Sequence, residues 1–127
     1  MIASDIMTRK VATIQPEASA QEAAQLLDQR RISGAPVVDA DDKIIGVITE
    51  ADIISKVDRE GLRVSDIMSH NVIAISEETP VSEIAALLTE RKIKRVPVVR
   101  DGKLVGIVSR ADIVHAVAQG HLIMREW

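Results

Sequence analysis

One pattern occurs twice in this chain and limits what the chain can fold into. Gly46-Val47-Ile48-Thr49-Glu50-Ala51-Asp52 returns as Gly106-Ile107-Val108-Ser109-Arg110-Ala111-Asp112. Each copy reads as a buried strand running into a helix, opened by glycine, with a hydroxyl at the strand's end and a carboxylate three residues later. The surroundings repeat as well. Ser4-Asp5-Ile6-Met7-Thr8 returns as Ser65-Asp66-Ile67-Met68-Ser69, Val11 to Ile14 as Val72 to Ile75, and Pro36-Val37-Val38 as Pro97-Val98-Val99. A period of about 60 residues is longer than the usual solenoid unit and fits a duplicated small domain.

Each copy can be read in the same way. A short helical turn surrounds Asp-Ile-Met, and a short β segment follows near Val11–Ile14 and Val72–Ile75. A helix comes next. Ser19 with Glu22 three residues on predicts a capping box for the first. Thr79 predicts a cap for the second, with Pro80 at the first helical position. Ala23, Ala24 and Leu27 in one helix, and Ile84, Leu87 and Leu88 in the other, make a single apolar stripe. Two β segments follow, Ala35–Asp39 and Ile44–Thr49 in copy one, Val96–Val99 and Leu104–Ser109 in copy two. Asp101-Gly102 between the latter pair is a hairpin signal. A closing helix starts after Thr49 and Ser109. The order per copy is β-α-β-β-α, an α+β class.

One copy is too small to bury its apolar face well. The expectation is therefore two repeats packed through their sheets with pseudo-twofold symmetry. The boundaries expected are 1–57 for the first repeat, 58–64 for a short linker, 65–118 for the second repeat and 119–127 for a tail. The linker is polar and contains Gly61, which favours direct docking of the copies.

Composition narrows the function. The 127 residues include one Trp, no Phe and no Tyr, so the core is built from aliphatic residues and the aromatic platforms of single-strand nucleic-acid binding are missing. The net charge of −3 advertises no basic face, and no nucleic-acid partner is expected. The absence of cysteine removes disulfides and thiolate metal sites and fits a reducing cytoplasm. No apolar run reaches membrane-spanning length and no signal pattern opens the chain, so neither a membrane partner nor export is expected.

At this point the residues resemble a family. The Pro-Val-Val strand and the Gly-x-x-[Ser/Thr]-x-x-Asp ending, each present twice and in register, are similar to the CBS domain, named after cystathionine β-synthase. Two in tandem resemble a CBS pair, or Bateman module, over about Ile2 to Val117. The resemblance implies a regulatory module rather than an enzyme. It would bind adenosine-containing ligands (AMP, ADP or ATP, sometimes dinucleotides or S-adenosylmethionine) in two clefts between the repeats, for energy or metabolite sensing. It implies no catalytic cofactor and no metal, and a disc-like homodimer with a possible regulated protein partner.

Carried over onto this sequence, the resemblance assigns Thr49 and Asp52 to one cleft. Against them it sets Ser69, Val72, Ile73, Lys94, Arg95 and Val96. The other cleft would use Ser109, Arg110 and Asp112, against Thr8, Val11, Ala12, Ser33, Gly34 and Ala35. The carboxylates would take ribose hydroxyls and the Thr or Ser hydroxyls would help to hold phosphate. Elementary chemistry agrees: an ionised carboxylate only accepts hydrogen bonds, and a helix start offers unpaired N–H groups and favours anions. Lys94 and Arg95 face the first cleft where Ser33 and Gly34 face the second, so the first is expected to hold a charged nucleotide more firmly.

Plainer readings stand beside these. Thr49 with Asp52, and Ser109 with Asp112, also fit helix caps that need no ligand, each contributing about 1 kcal/mol. Both roles are compatible. Met7 and Met68 read as core packing, Asp5 and Asp66 as first-turn acids, and Arg91 to Arg95 as a solvated helix end or a phosphate grip. His70, His115 and His121 lack metal-ligand spacing, and no catalytic motif occurs. The alternative to a ligand-binding module is a ligand-free dimerisation module, or a regulatory fragment of a larger protein. The stretch Gly120 to Trp127 would then dock on the dimer or lead into a further domain.

Overall fold

The computed structural model describes residues 1–122, so the end of the expected tail, 123–127, lies outside the described residues. The fold is mixed α+β. Its elements are α1 (Ala3–Ile6), α2 (Ala20–Arg30), β1 (Gly34–Val38), β2 (Ile44–Thr49), α3 (Glu50–Ile54), α4 (Val64–Ile67), α5 (Val81–Glu90), β3 (Arg95–Arg100), β4 (Lys103–Ser109) and α6 (Arg110–Ala118). They form two compact units. A central unit holds Ala12–Val72, and a terminal unit joins Met1–Val11 to Ile73 onward.

The units are not the sequence repeats. The opening turn of each repeat is exchanged, so that α1 belongs with α5, β3, β4 and α6, while α4 belongs with α2, β1, β2 and α3. In the terminal unit Ala3 N donates to Thr79 O at 2.9 Å, and Thr8 and Ile107 exchange both backbone bonds at 2.8 and 2.9 Å. In the central unit Val47 and Ser69 do the same at 2.9 Å each way. Each opening turn is thus tied to the outer edge of a hairpin strand that carries the repeated glycine.

That glycine is a steric requirement. A Cβ on Gly106 would lie 2.7 Å from Met7 Sδ and 3.1 Å from Thr8 O, and one on Gly46 would lie 2.8 Å from both Met68 Sδ and Ser69 O. The acidic residue of each turn closes its own helix, with Ile2 N donating to Asp5 Oδ2 and Arg63 N to Asp66 Oδ2, both at 2.8 Å.

Each unit has its own apolar core. The terminal core gathers Ala3, Met7, Ile75, Ile84, Leu88, Val96, Val98 and Val108. The central core gathers Ala23, Leu27, Ala35, Val37, Ile48, Val64 and Ile67, with Met68 packed against it. The amphipathic stripes of α2 and α5 supply Leu27, Ile84 and Leu88, as the spacing predicts.

β1 pairs antiparallel with β2 and β3 with β4, each ladder shifting register by one residue before the glycine. The β3–β4 turn has positive φ at both Asp101 (52°) and Gly102 (79°), which suits a right-twisted two-residue hairpin. The first repeat's longer turn is held by Asp39, whose Oδ1 accepts from Asp41 N and Lys43 N at 2.9 and 3.0 Å.

Two local expectations change. The β segments expected at Val11–Ile14 and Val72–Ile75 shrink to single parallel bridges, Ile14 to Val37 and Ile75 to Val98. Upstream of the bridges, Thr8 is bonded to β4 and Ser69 to β2, and the chain passes from one unit to the other at Val11–Ala12 and Val72–Ile73; downstream, Pro16 has no N–H to donate and Glu77 O accepts from Ser4 N at 3.0 Å. The cap expected from Thr79 is not made. Pro80 itself is the N-cap of α5, and the Thr79 hydroxyl accepts from Ser76 N at 3.1 Å. Of the box expected at Ser19 one half forms, with Glu22 N donating to Ser19 Oγ at 3.0 Å, while the Glu22 carboxylate accepts from the Ser19 hydroxyl at 3.3 Å and not from its backbone N–H.

Candidate functional site

The two strand–helix junctions are built alike. β2 ends at Thr49 and α3 begins at Glu50; β4 ends at Ser109 and α6 begins at Arg110. Each N-cap residue is extended and the helix follows at once, so the hydroxyl and the carboxylate are brought round to each other. Asp52 Oδ2 accepts from Thr49 N at 2.8 Å and from Thr49 Oγ1 at 3.0 Å, while Asp52 N donates to the same Oγ1 at 3.3 Å. Asp112 Oδ2 accepts from Ser109 N at 2.7 Å and Oγ at 3.0 Å, and Asp112 N donates to Ser109 Oγ at 3.3 Å. All four residues are half-buried.

The capping reading of these residues is therefore satisfied in full, and it uses up most of the free N–H groups expected at the helix start. Thr49 N and Asp52 N are engaged in the box, and Glu50 N donates to Ser33 O at 2.9 Å. In the other unit Arg110 N donates to Lys94 O at 3.1 Å. Of the first N–H groups, those of Ala51 and Ala111 are left. The sequence signal for this is modest: both copies place alanine, with no side chain to cover its own N–H, directly before the aspartate.

The carboxylates differ in their second oxygen. Asp112 Oδ1 accepts from Thr8 Oγ1 at 3.4 Å. Asp52 has no equivalent bond among the described residues. Ser69, the counterpart of Thr8, has its hydroxyl accepting from Asn71 N at 3.3 Å.

The remaining expected site residues fall as follows. Thr8, Val11, Ile73, Lys94, Arg95, Val96, Ser109, Arg110 and Asp112 lie in the terminal unit. Ala12, Ser33, Gly34, Ala35, Thr49, Asp52, Ser69 and Val72 lie in the central unit. Strand register sets Gly34 opposite Thr49 and Ala35 opposite Ile48, and likewise Arg95 opposite Ser109 and Val96 opposite Val108. Lys94 is exposed and Arg95 half-buried. The Arg110 guanidinium is anchored through Nε to Ile93 O at 3.2 Å, a contact the sequence does not announce. Val11, Ala12, Val72 and Ile73 are half-buried, and the division between units falls inside both of these extended segments. Among the described residues no group of three or more His, Cys, Asp or Glu side chains is placed to hold a metal, and no helix is long and apolar enough to cross a membrane.

Duplicated hairpins, each with a bonded opening turn and a capped strand–helix junction, define a pair of small α+β domains. The sequence profile of the CBS domain matches residues 3–59 and 64–119, and the chain belongs to the CBS-domain family. The CBS domain pair of protein MJ0100, solved in complex with 5′-methylthioadenosine and S-adenosyl-L-methionine, is 32% identical, with a TM-score of 0.83 over 94% of this chain and 98% of that one. The CBS-pair protein CBSX2, known from Arabidopsis thaliana and solved in complex with AMP, is 28% identical, with a TM-score of 0.87 over 95% of this chain and 98% of that one. Inosine-5′-monophosphate dehydrogenase of Thermoplasma acidophilum is 36% identical over 110 residues, 86% of this chain. The chain spans 38% of the length of protein MJ1232 of Methanocaldococcus jannaschii, and 23% and 22% of the inosine-5′-monophosphate dehydrogenases of M. jannaschii and T. acidophilum.

Proposed function

We propose that this CBS pair is a regulatory module for an adenosine-containing ligand, with Asp52 and Asp112 taking ribose hydroxyls. The observation that carries the reading is the state of Asp52. Its Oδ2 is spent on the cap, and its Oδ1 has no hydrogen-bond partner among the described residues. A carboxylate oxygen left over beside a half-buried hydroxyl suits a diol, which brings two donors and no charge. The complexes of the similar proteins with AMP, methylthioadenosine and S-adenosylmethionine support the adenosine class.

Lys94 in the first cleft and Arg110 in the second supply the cations. Either suits a phosphate, Arg by paired hydrogen bonds and Lys as a point charge. We therefore favour AMP, ADP or ATP over an uncharged nucleoside. Such binding regulates whatever protein carries or contacts the module, provided that two arrangements of the module bind ligand differently.

A thermal melt with AMP, ADP, ATP, NAD and S-adenosylmethionine tests the reading. A ligand at about 100 times its Kd adds roughly 2.7 kcal/mol, a rise of several degrees in a protein of this size. No shift with any of them removes the reading.

A ligand-free assembly module is the second reading. Ile54, Val57 and Val114 favour it, being large aliphatic side chains 69%, 66% and 66% exposed. Light scattering that reports a monomer at high concentration removes it.

A further inference from the structure

The two carboxylates do not offer a ligand the same number of open positions. An ionised carboxylate has about four lone-pair sites, two on each oxygen. In both junctions Oδ2 accepts two donors from its own N-cap residue, one backbone N–H and one hydroxyl. Asp52 Oδ1 then keeps both of its sites, enough for both hydroxyls of a ribose. Asp112 Oδ1 has already given one to Thr8 Oγ1.

We infer that Thr8 is an internal latch on Asp112: its hydroxyl occupies a position that a ribose hydroxyl needs, so the Asp112 junction takes a full ribose diol only when Thr8 is displaced. This rests on the proposed function and adds a residue that opposes binding at one of its two junctions. The latch is positioned by backbone. Thr8 and Ile107 exchange two bonds at 2.8 and 2.9 Å, which holds the Thr8 Cα beside β4 whatever its side chain does. The side-chain contact is long, at 3.4 Å, against about 2.7–2.8 Å for a well-made hydroxyl bond. A rotation about χ1 releases it and leaves the fold alone. Ser69 is held against Val47 in the same way, yet its hydroxyl serves Asn71 N. The two carboxylates therefore differ in one hydroxyl and what it bonds, while the residue after each cap differs in charge, Glu50 in one junction and Arg110 in the other.

The test isolates the Asp112 junction by working in an Asp52→Ala background, with titration calorimetry of AMP and of 5′-methylthioadenosine. Thr8→Val keeps the shape and removes the hydroxyl. It should tighten both ligands about three- to tenfold, the range for freeing one ordinary hydrogen bond and less than a well-made bond to a charged group would give. Thr8→Ser restores the hydroxyl and should restore the weaker affinity. 2′,3′-Dideoxy-AMP has no diol and should gain nothing from Thr8→Val. Unchanged or weaker AMP binding by Thr8→Val overturns the latch and leaves the functional reading standing. An equal gain for the dideoxy compound also overturns the latch, since the gain would then not pass through the diol. No heat from the parent protein with either ligand overturns the functional reading and the latch together.

Discussion

Gly106 and Met7 are in contact closer than any side chain at position 106 would permit: a Cβ there would lie 2.7 Å from the Met7 sulfur. One residue comes from the opening turn of the first repeat and the other from the last strand of the second. Their fit is what seats α1 on the terminal unit.

Gly106→Ala should destabilise the protein by about 1–3 kcal/mol through overpacking. Gly46→Ala should cost more within that range. Its Cβ meets Ser69 O at 2.8 Å, a backbone atom that cannot swing aside, whereas the nearest atoms at Gly106 belong to the flexible Met7 side chain. Urea unfolding of the two variants measures this. Met7→Ala should recover part of the loss in Gly106→Ala, giving a coupling of the two sites.

The junction caps carry stability without ligand. Ser109→Ala removes the acceptor for Asp112 N and one donor to Asp112 Oδ2, and should lower stability by about 1 kcal/mol in the empty protein. Asp52→Ala and Asp112→Ala should each lower the empty melting temperature and also shrink the rise caused by ligand. An equal fall with and without ligand would leave the aspartates as caps alone.

Helix α5 starts differently from α2, and hydrogen exchange should show it. Ser19→Ala should lose protection at the Glu22 amide, which donates to the Ser19 hydroxyl. Thr79→Ala should lose it at Ser76 instead, leaving Glu83 and Ile84 protected, because their amides donate to Pro80 O.

Glu77 and Arg100 form a two-bond pair at 2.6 and 2.8 Å. The hydrogen bond from Arg100, helped by the charges of Arg100 and Arg9, holds the Glu77 carboxyl below its ordinary value of 4.5. A depressed carboxyl stabilises the fold above its unfolded pKa and stops doing so as pH falls through the folded one. The contribution should therefore be whole at neutral pH and decline below about pH 4.5, the ordinary value. Arg100→Met should raise the Glu77 pKa in an NMR titration and flatten the acid limb of the stability curve.

Much of the fold is legible in the sequence because its signals are local. The stripes of α2 and α5 follow from a helical period, the β3–β4 hairpin from Asp101-Gly102, and the junction boxes from a hydroxyl with a carboxylate three residues on. The repeated glycine permits close packing or a local kink, and the structure shows the close packing, against Met68 and Met7. Where two neighbours both suit a helix start, as Thr79 and Pro80 do, a competing bond decides: the Thr79 hydroxyl accepts from Ser76 N, and Pro80 is the N-cap.

The sequence by itself determined the duplication, the order of the helices and hairpins and the chemistry of each junction; the last two depend on residues a few positions apart, and only the β segments before α2 and α5 fall short of the expected order. The local pattern leaves open which opening turn seats on which strand; the family resemblance sets Thr8 against Asp112 and Ser69 against Asp52, and the tertiary structure carries the seating out through the backbone. Asp-Ile-Met occurs twice and Gly-x-x-hydroxyl occurs twice, so either pairing satisfies the pattern; only the packed backbone places Met7 against Gly106 and Met68 against Gly46. The same packing brings Thr8 to an aspartate 104 residues away, making two junctions that read alike bond differently. A contact over that separation leaves no periodicity in the chain, because it is set by the geometry of the core rather than by neighbours in sequence.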